Sequence, residues 1–113
     1  MLFRSTAGER SGRTGHQPAC VWLGGRRELA YAVERLLFDS GCYVFVLEDS
    51  DPVHLSGTAR ILQAAGMIVL CVSDAGVDAA EERFIDATQV EGPMAEAASE
   101  VLRMLRESGA VSI

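Results

Sequence analysis

Three short stretches carry the side chains whose types and spacing could do chemistry. The first is Gly24-Gly25-Arg26-Arg27. At a helix start it would bring free backbone N–H groups, the positive end of a helix and two guanidinium groups together, enough to hold sulfate or one phosphate. The same four residues also make a tight turn with surface arginines, partly neutralised by Glu28. The second stretch is Glu48, Asp49 and Asp51, hard oxygen donors suited to Mg2+, although such acids are equally the ordinary means of capping a helix. Nearby His54 could act as a general base with its pKa raised by these carboxylates, or stand at the start of the next helix as a surface or half-buried residue. The third is Ser73, which with His54 and Asp49 composes a nominal Ser/His/Asp set without the G-x-S-x-G elbow that activates such a serine. No catalytic residue and no metal ligand is therefore assigned. Gly24, Gly25, Arg26, Arg27, Asp49, Asp51, His54 and Ser73 are kept as anion- or nucleotide-binding candidates.

Composition narrows the chemistry further. All ten cations among the 113 residues are arginine, so a P-loop lysine, a Schiff-base lysine and a lysine general base are all excluded. A net charge of −6 argues against nucleic acid as a partner, because phosphate neutralisation needs a basic face. The charge is uneven: residues 1–28 hold five Arg against two acids, and residues 29–113 hold five against fourteen. Cys20, Cys42 and Cys71 form no CxxC pair and lie in or beside apolar runs, as reduced core thiols of a cytoplasmic protein do. No apolar run approaches the roughly 20 residues of a membrane span, and the first residues lack a signal-peptide core.

The elements that must position these residues follow from the apolar pattern. Residues 1–18, rich in Gly, Ser, Thr and Arg, read as a flexible lead or linker, and residues 19–113 as one α/β domain. Residues 20–23 are a short buried strand stopped by Gly24-Gly25. Leu29, Ala32, Val33, Leu36 and Leu37 mark a helix over about 26–40, with Gly41 as its stop. A second strand is expected over 43–47, a helix over 56–65 along Ala59, Ile61, Leu62 and Ala65, and a third strand over 67–72. A short helix over 77–83, a short strand over 84–87 and a closing helix from Pro93 to Ser108 complete the order. Alternating strands and helices give a three-layer parallel sheet flanked by helices, with ligands expected outside the carboxyl ends of its strands. That places Gly24 to Glu28, Glu48 to His54, and Ser73 to Gly76 together.

Five stretches in order carry a family resemblance. They are Gly15-His16-Gln17-Pro18-Ala19-Cys20-Val21-Trp22-Leu23, the helix Ala30 to Phe38, the strand Tyr43-Val44-Phe45-Val46-Leu47, the strand Ala65 to Leu70, and Val101 to Val111. Together they resemble adenylylsulfate kinase (APS kinase), the P-loop enzyme that phosphorylates adenosine 5'-phosphosulfate in sulfate assimilation, in the form fused to sulfate adenylyltransferase. The resemblance implies a P-loop-kinase-like fold.

The resemblance fails where that family's chemistry resides. A G-x-x-x-x-G-K-[ST] loop cradles phosphates with backbone N–H groups and a lysine, whereas here Trp22-Leu23-Gly24-Gly25 runs straight into Arg26-Arg27, about five residues short. A planar guanidinium on a shortened turn does not replace a compact ammonium. Asp49-Ser50-Asp51 lies over the family's Asp-Gly-Asp and His54 over the histidine beyond, but Pro52-Val53 stand where its arginine belongs, and Glu48 takes the first acidic position if the match slides by one. Ser73 keeps the serine of the Ile-Ser-Pro turn while Asp74 replaces the proline, and the lid segment is missing. The expectation is a catalytically inactive, reduced P-loop-kinase-like domain lacking the lid and needing no cofactor. It would serve as a structural, assembly or regulatory module, as a homodimer or beside a sulfate adenylyltransferase subunit, with sulfate, phosphate or adenylylsulfate as possible ligands. The alternative is an adenylylsulfate kinase with an atypical phosphate loop, for which ATP and Mg2+ would be the cofactors.

Overall fold

A computed structural model of the chain describes residues 18–74 and 84–112. Residues 1–17, most of the expected lead, and the helix expected over 77–83 lie outside the described residues. The elements run β1 (Cys20–Trp22), α1 (Arg27–Asp39), β2 (Val44–Glu48), α2 (Pro52–Ala64), β3 (Ile68–Val72), β4 (Phe84–Asp86) and α3 (Met94–Glu107). The four strands form one sheet in the order β2-β3-β1-β4, and every pairing is parallel. This is the expected α/β arrangement, a reduced P-loop-kinase-like fold. From β1 the chain crosses over β3 to reach β2, then returns one place to β3. Opposite directions of travel with one crossover hand put α1 and α2 on opposite faces.

Alternation along the strands divides the core accordingly. Val21, Leu70 and Val72 point to one face and pack with Leu29, Ala30, Val33 and Leu37 of α1 and Ala97, Ala98, Val101, Leu102 and Leu105 of α3. Cys20, Trp22, Val69 and Cys71 point to the other and meet Leu55 and Ala59 of α2. β3, central and buried on both faces, is apolar throughout and fully buried. Among the described residues, no helix is long and apolar enough to cross a membrane.

Two elements depart from expectation. Helix α2 starts at Pro52 rather than 56, because the Asp51 carboxylate accepts the Val53 and His54 backbone N–H groups while proline needs no donor in the first turn. Leu55, Ala59 and Leu62 face inward, whereas two residues expected in the stripe do not: Ile61 is 71% exposed, and Ala65 is exposed at the C-cap. Strand β2 lies at the sheet edge, where α2 packs over β3 more than over β2, so Phe45 and the preceding Tyr43 are exposed. The remaining bounds agree with the apolar spacing to within a residue or two, except that Met94, at the start of α3, is exposed rather than part of the buried stripe.

Candidate functional site

The carboxyl ends of β1, β2 and β3 enclose a cleft of about 310 Å³ lined by Gly25, Arg27, Glu48, Asp49, Ser50, Val72, Ser73 and Asp74. All three stretches singled out from the sequence contribute to it.

Its first wall is the β1–α1 turn. Gly24 (φ +46°) and Gly25 (φ +80°) are consecutive left-handed residues, and the Arg26 backbone N–H donates to the Leu23 carbonyl at 2.9 Å. Space as well as backbone conformation demands glycine here. A Cβ on Gly24 would lie 2.6 Å from Thr88 Cγ2, and one on Gly25 3.0 Å from Asp74 Oδ1. Thr88 is itself fixed, since its backbone N–H and hydroxyl donate to Asp86 Oδ1 at 2.9 and 2.7 Å. The two arginines part company at this turn. Arg26 donates to the Val90 carbonyl, on the β4 side. Arg27 stays at the cleft, its Nε donating to Glu48 Oε1 at 2.5 Å.

Glu48 ends β2 and is gripped from α1 by two residues one turn apart: Arg27, and Tyr31 through its hydroxyl. The Tyr31 hydrogen bond and then Arg27 hold the Glu48 carboxyl below its usual range, and Glu48 in turn pushes both Tyr31 and Arg27 upward. Asp49 is committed to the start of α2. Its Oδ2 meets His54 Nδ1 at 2.5 Å and its Oδ1 accepts the Asp51 N–H at 3.1 Å; His54 first, then that backbone donor, holds its carboxyl low. Asp51 is the cap itself. Ser73, buried at the end of β3, places its carbonyl near Gly25.

Of the residues selected from sequence, Gly25, Arg27, Asp49 and Ser73 come together in the cleft. Gly24 and Arg26 turn toward Thr88 and Val90, while Asp51 and His54 sit at the head of α2. The lining carries one cation, Arg27, against Glu48, Asp49 and Asp74. Tyr31 and Asp74 were not among the sequence candidates. The four-residue spacing of Tyr31 from Arg27 on one helical face was the available signal for the first; for Asp74 it was the position just beyond Ser73. No group of three or more His, Cys, Asp or Glu side chains among the described residues is placed to hold a metal ion.

Comparison with known proteins locates the chain. It is 39% identical over 54 residues to an adenylyl-sulfate kinase of Geotalea daltonii, covering 43% of this chain and 27% of that protein. It is 38% identical over 47 residues to an adenylyl-sulfate kinase of Geotalea uraniireducens, covering 37% and 23% respectively. No protein-family model matches the chain, and neither does any solved structure. The matched stretches span about a quarter of the length of these relatives. Within that span the chain is similar to adenylyl-sulfate kinases.

Proposed function

We propose that the chain is a catalytically inactive APS-kinase-like module of the cytoplasm, tied to sulfate assimilation, that works by binding or assembly rather than by phosphoryl transfer. One observation carries this reading: the β1–α1 turn is closed by two left-handed glycines with the Asp74 carboxylate against it. A loop that wraps a polyphosphate needs several converging N–H groups and a free cation. Here no lysine exists, Arg26 is bonded to Val90 and Arg27 to Glu48, and carboxylates outnumber cations in the lining. ATP with Mg2+ is a poor fit to such a cleft. The exposed β2 edge, with Tyr43 and Phe45 beside it, supports an assembly role with a second copy or a sulfate adenylyltransferase subunit. The test is a coupled assay for MgATP-dependent phosphorylation of adenylylsulfate together with thermal unfolding. No turnover and no shift with MgATP are expected; a shift of several degrees overturns the reading.

The alternative, a kinase with an atypical phosphate loop, is favoured by one feature: helix α1 begins without a side-chain cap. It requires turnover that disappears in the Arg26→Ala/Arg27→Ala double variant. Calorimetry with sulfate and adenylylsulfate distinguishes binding without chemistry from both.

A further inference from the structure

Beneath α2, on the face away from α1 and α3, Cys20 of β1 and Cys71 of β3 touch sulfur to sulfur. Their Sγ atoms are 3.2 Å apart, both side chains are fully buried, and neither is in a disulfide. The register pairs Cys20 with Val69 and Trp22 with Cys71, so the two thiols are diagonal neighbours on one face of adjacent strands. A disulfide needs about 2.0 Å between sulfurs, so the pair must close by roughly 1 Å. The contact with Cys71, followed by burial, pushes the Cys20 thiol well above its ordinary range, and with both side chains buried neither sulfur meets a dissolved oxidant while the face is covered. Reaction therefore requires the cover to open. That cover is thin: α2 fully buries only Leu55 and Ala59, with Leu62 half-buried beside them, exposes Val53 and Ile61, and has a glycine, Gly57, in its middle turn. Short segments with few buried anchors open locally well before the whole molecule does.

We propose that Cys20 and Cys71 are an intramolecular oxidation site, cross-linked by peroxide when α2 opens. One sulfur, as thiolate, attacks a peroxide oxygen; the O–O bond breaks, a sulfenic acid forms, and the departing hydroxide becomes water with the proton that the thiol had shed. The second sulfur then attacks the sulfenic sulfur, the S–S bond forms, the S–O bond breaks, and the hydroxide leaves as water after taking the remaining thiol proton. Two thiols are oxidised and one peroxide becomes two waters. The bond ties together the two adjacent strands that lead to Gly25 and to Ser73, both in the lining of the cleft.

The experiment uses the full chain carrying Cys42→Ser, which leaves only this pair. Treatment with hydrogen peroxide is expected to lower the mass by about 2 Da, to remove both thiols from alkylation after denaturation, and to yield one peptide joining Cys20 to Cys71, all reversed by dithiothreitol. Unchanged alkylation, sulfinic acids without a cross-link, or disulfides only between chains overturn the proposal. Gly57→Ala strengthens α2 and its Cβ meets nothing within 4 Å. It should slow cross-linking by about fivefold. An unchanged rate overturns the route through α2, and Leu55→Ala, which loosens the same helix, must accelerate it.

Discussion

The two faces of the sheet are covered unequally, and the candidate site lies where they meet. Among the described residues, eighteen buried side chains pack on the face under α1 and α3, against six under α2. Helices α1 and α3 also pack on each other, so that layer is braced sideways, whereas α2 rests on the strands by buried Leu55 and Ala59 and half-buried Leu62. The cleft takes Arg27 from the head of α1 and Asp49 from the segment that leads into α2. One wall is thus rigidly founded, and the other is held largely by its own capping chemistry. Such an arrangement suits a surface that adjusts to a partner better than one that must hold a phosphoryl group to a fraction of an ångström.

Substitutions can break this comparison. Leu105→Ala, in the braced layer, should lower unfolding free energy by about 3 kcal/mol in urea titration, and Leu55→Ala, in the thin layer, by about 2. Equal or reversed costs would falsify the unequal-cover account. Gly24→Ala should cost about 2 kcal/mol, because a left-handed backbone and the Thr88 methyl both oppose a Cβ. A neutral result means that the β1–α1 turn is free to relax. Asp51→Ala removes the α2 cap and should cost about 1 kcal/mol. Hydrogen exchange sharpens the point: amides of α2 should lose protection while those of α3 keep theirs. The smallest effect is that of pH. Glu48 and Asp49 have folded-state pKa values below their ordinary 4.5 and 3.8, so the stability they confer is present above those values and lost as pH falls through the lower folded ones. Melting temperature should therefore drop on acidification below about pH 4.5, and Glu48→Gln should flatten part of that slope. A slope unchanged by that substitution removes the ion pair from the account.

Much of the scaffold was legible in the sequence because its information is local. Val101, Leu102 and Leu105 sit at helical spacing, and the continuous run from Ile68 to Val72 marks a strand buried on both faces. Helix α2 starts four residues before its apolar pattern indicates, because Asp51-Pro52 reads locally as a turn although the same two residues are the cap and first position of a helix. The exposure of Phe45 depends on strand order, which no local pattern contains. The site divides in the same way. That three loop stretches meet at the strand ends follows from the parallel sheet. That Arg27 finds Glu48 and Arg26 finds Val90, across 21 and 64 residues, does not.

The one tryptophan of the chain acquires a use from its position. Trp22 is buried under α2, 6.4 Å from the Phe84 ring, and its indole N–H has no hydrogen-bond partner among the described residues. It is a natural fluorophore installed in the weaker layer, next to the thiol pair. Its emission colour reports wetting of that layer alone, while circular dichroism reads the helices of both. If the layers loosen separately, the two signals will part on heating, and an unlabelled sample suffices to see it.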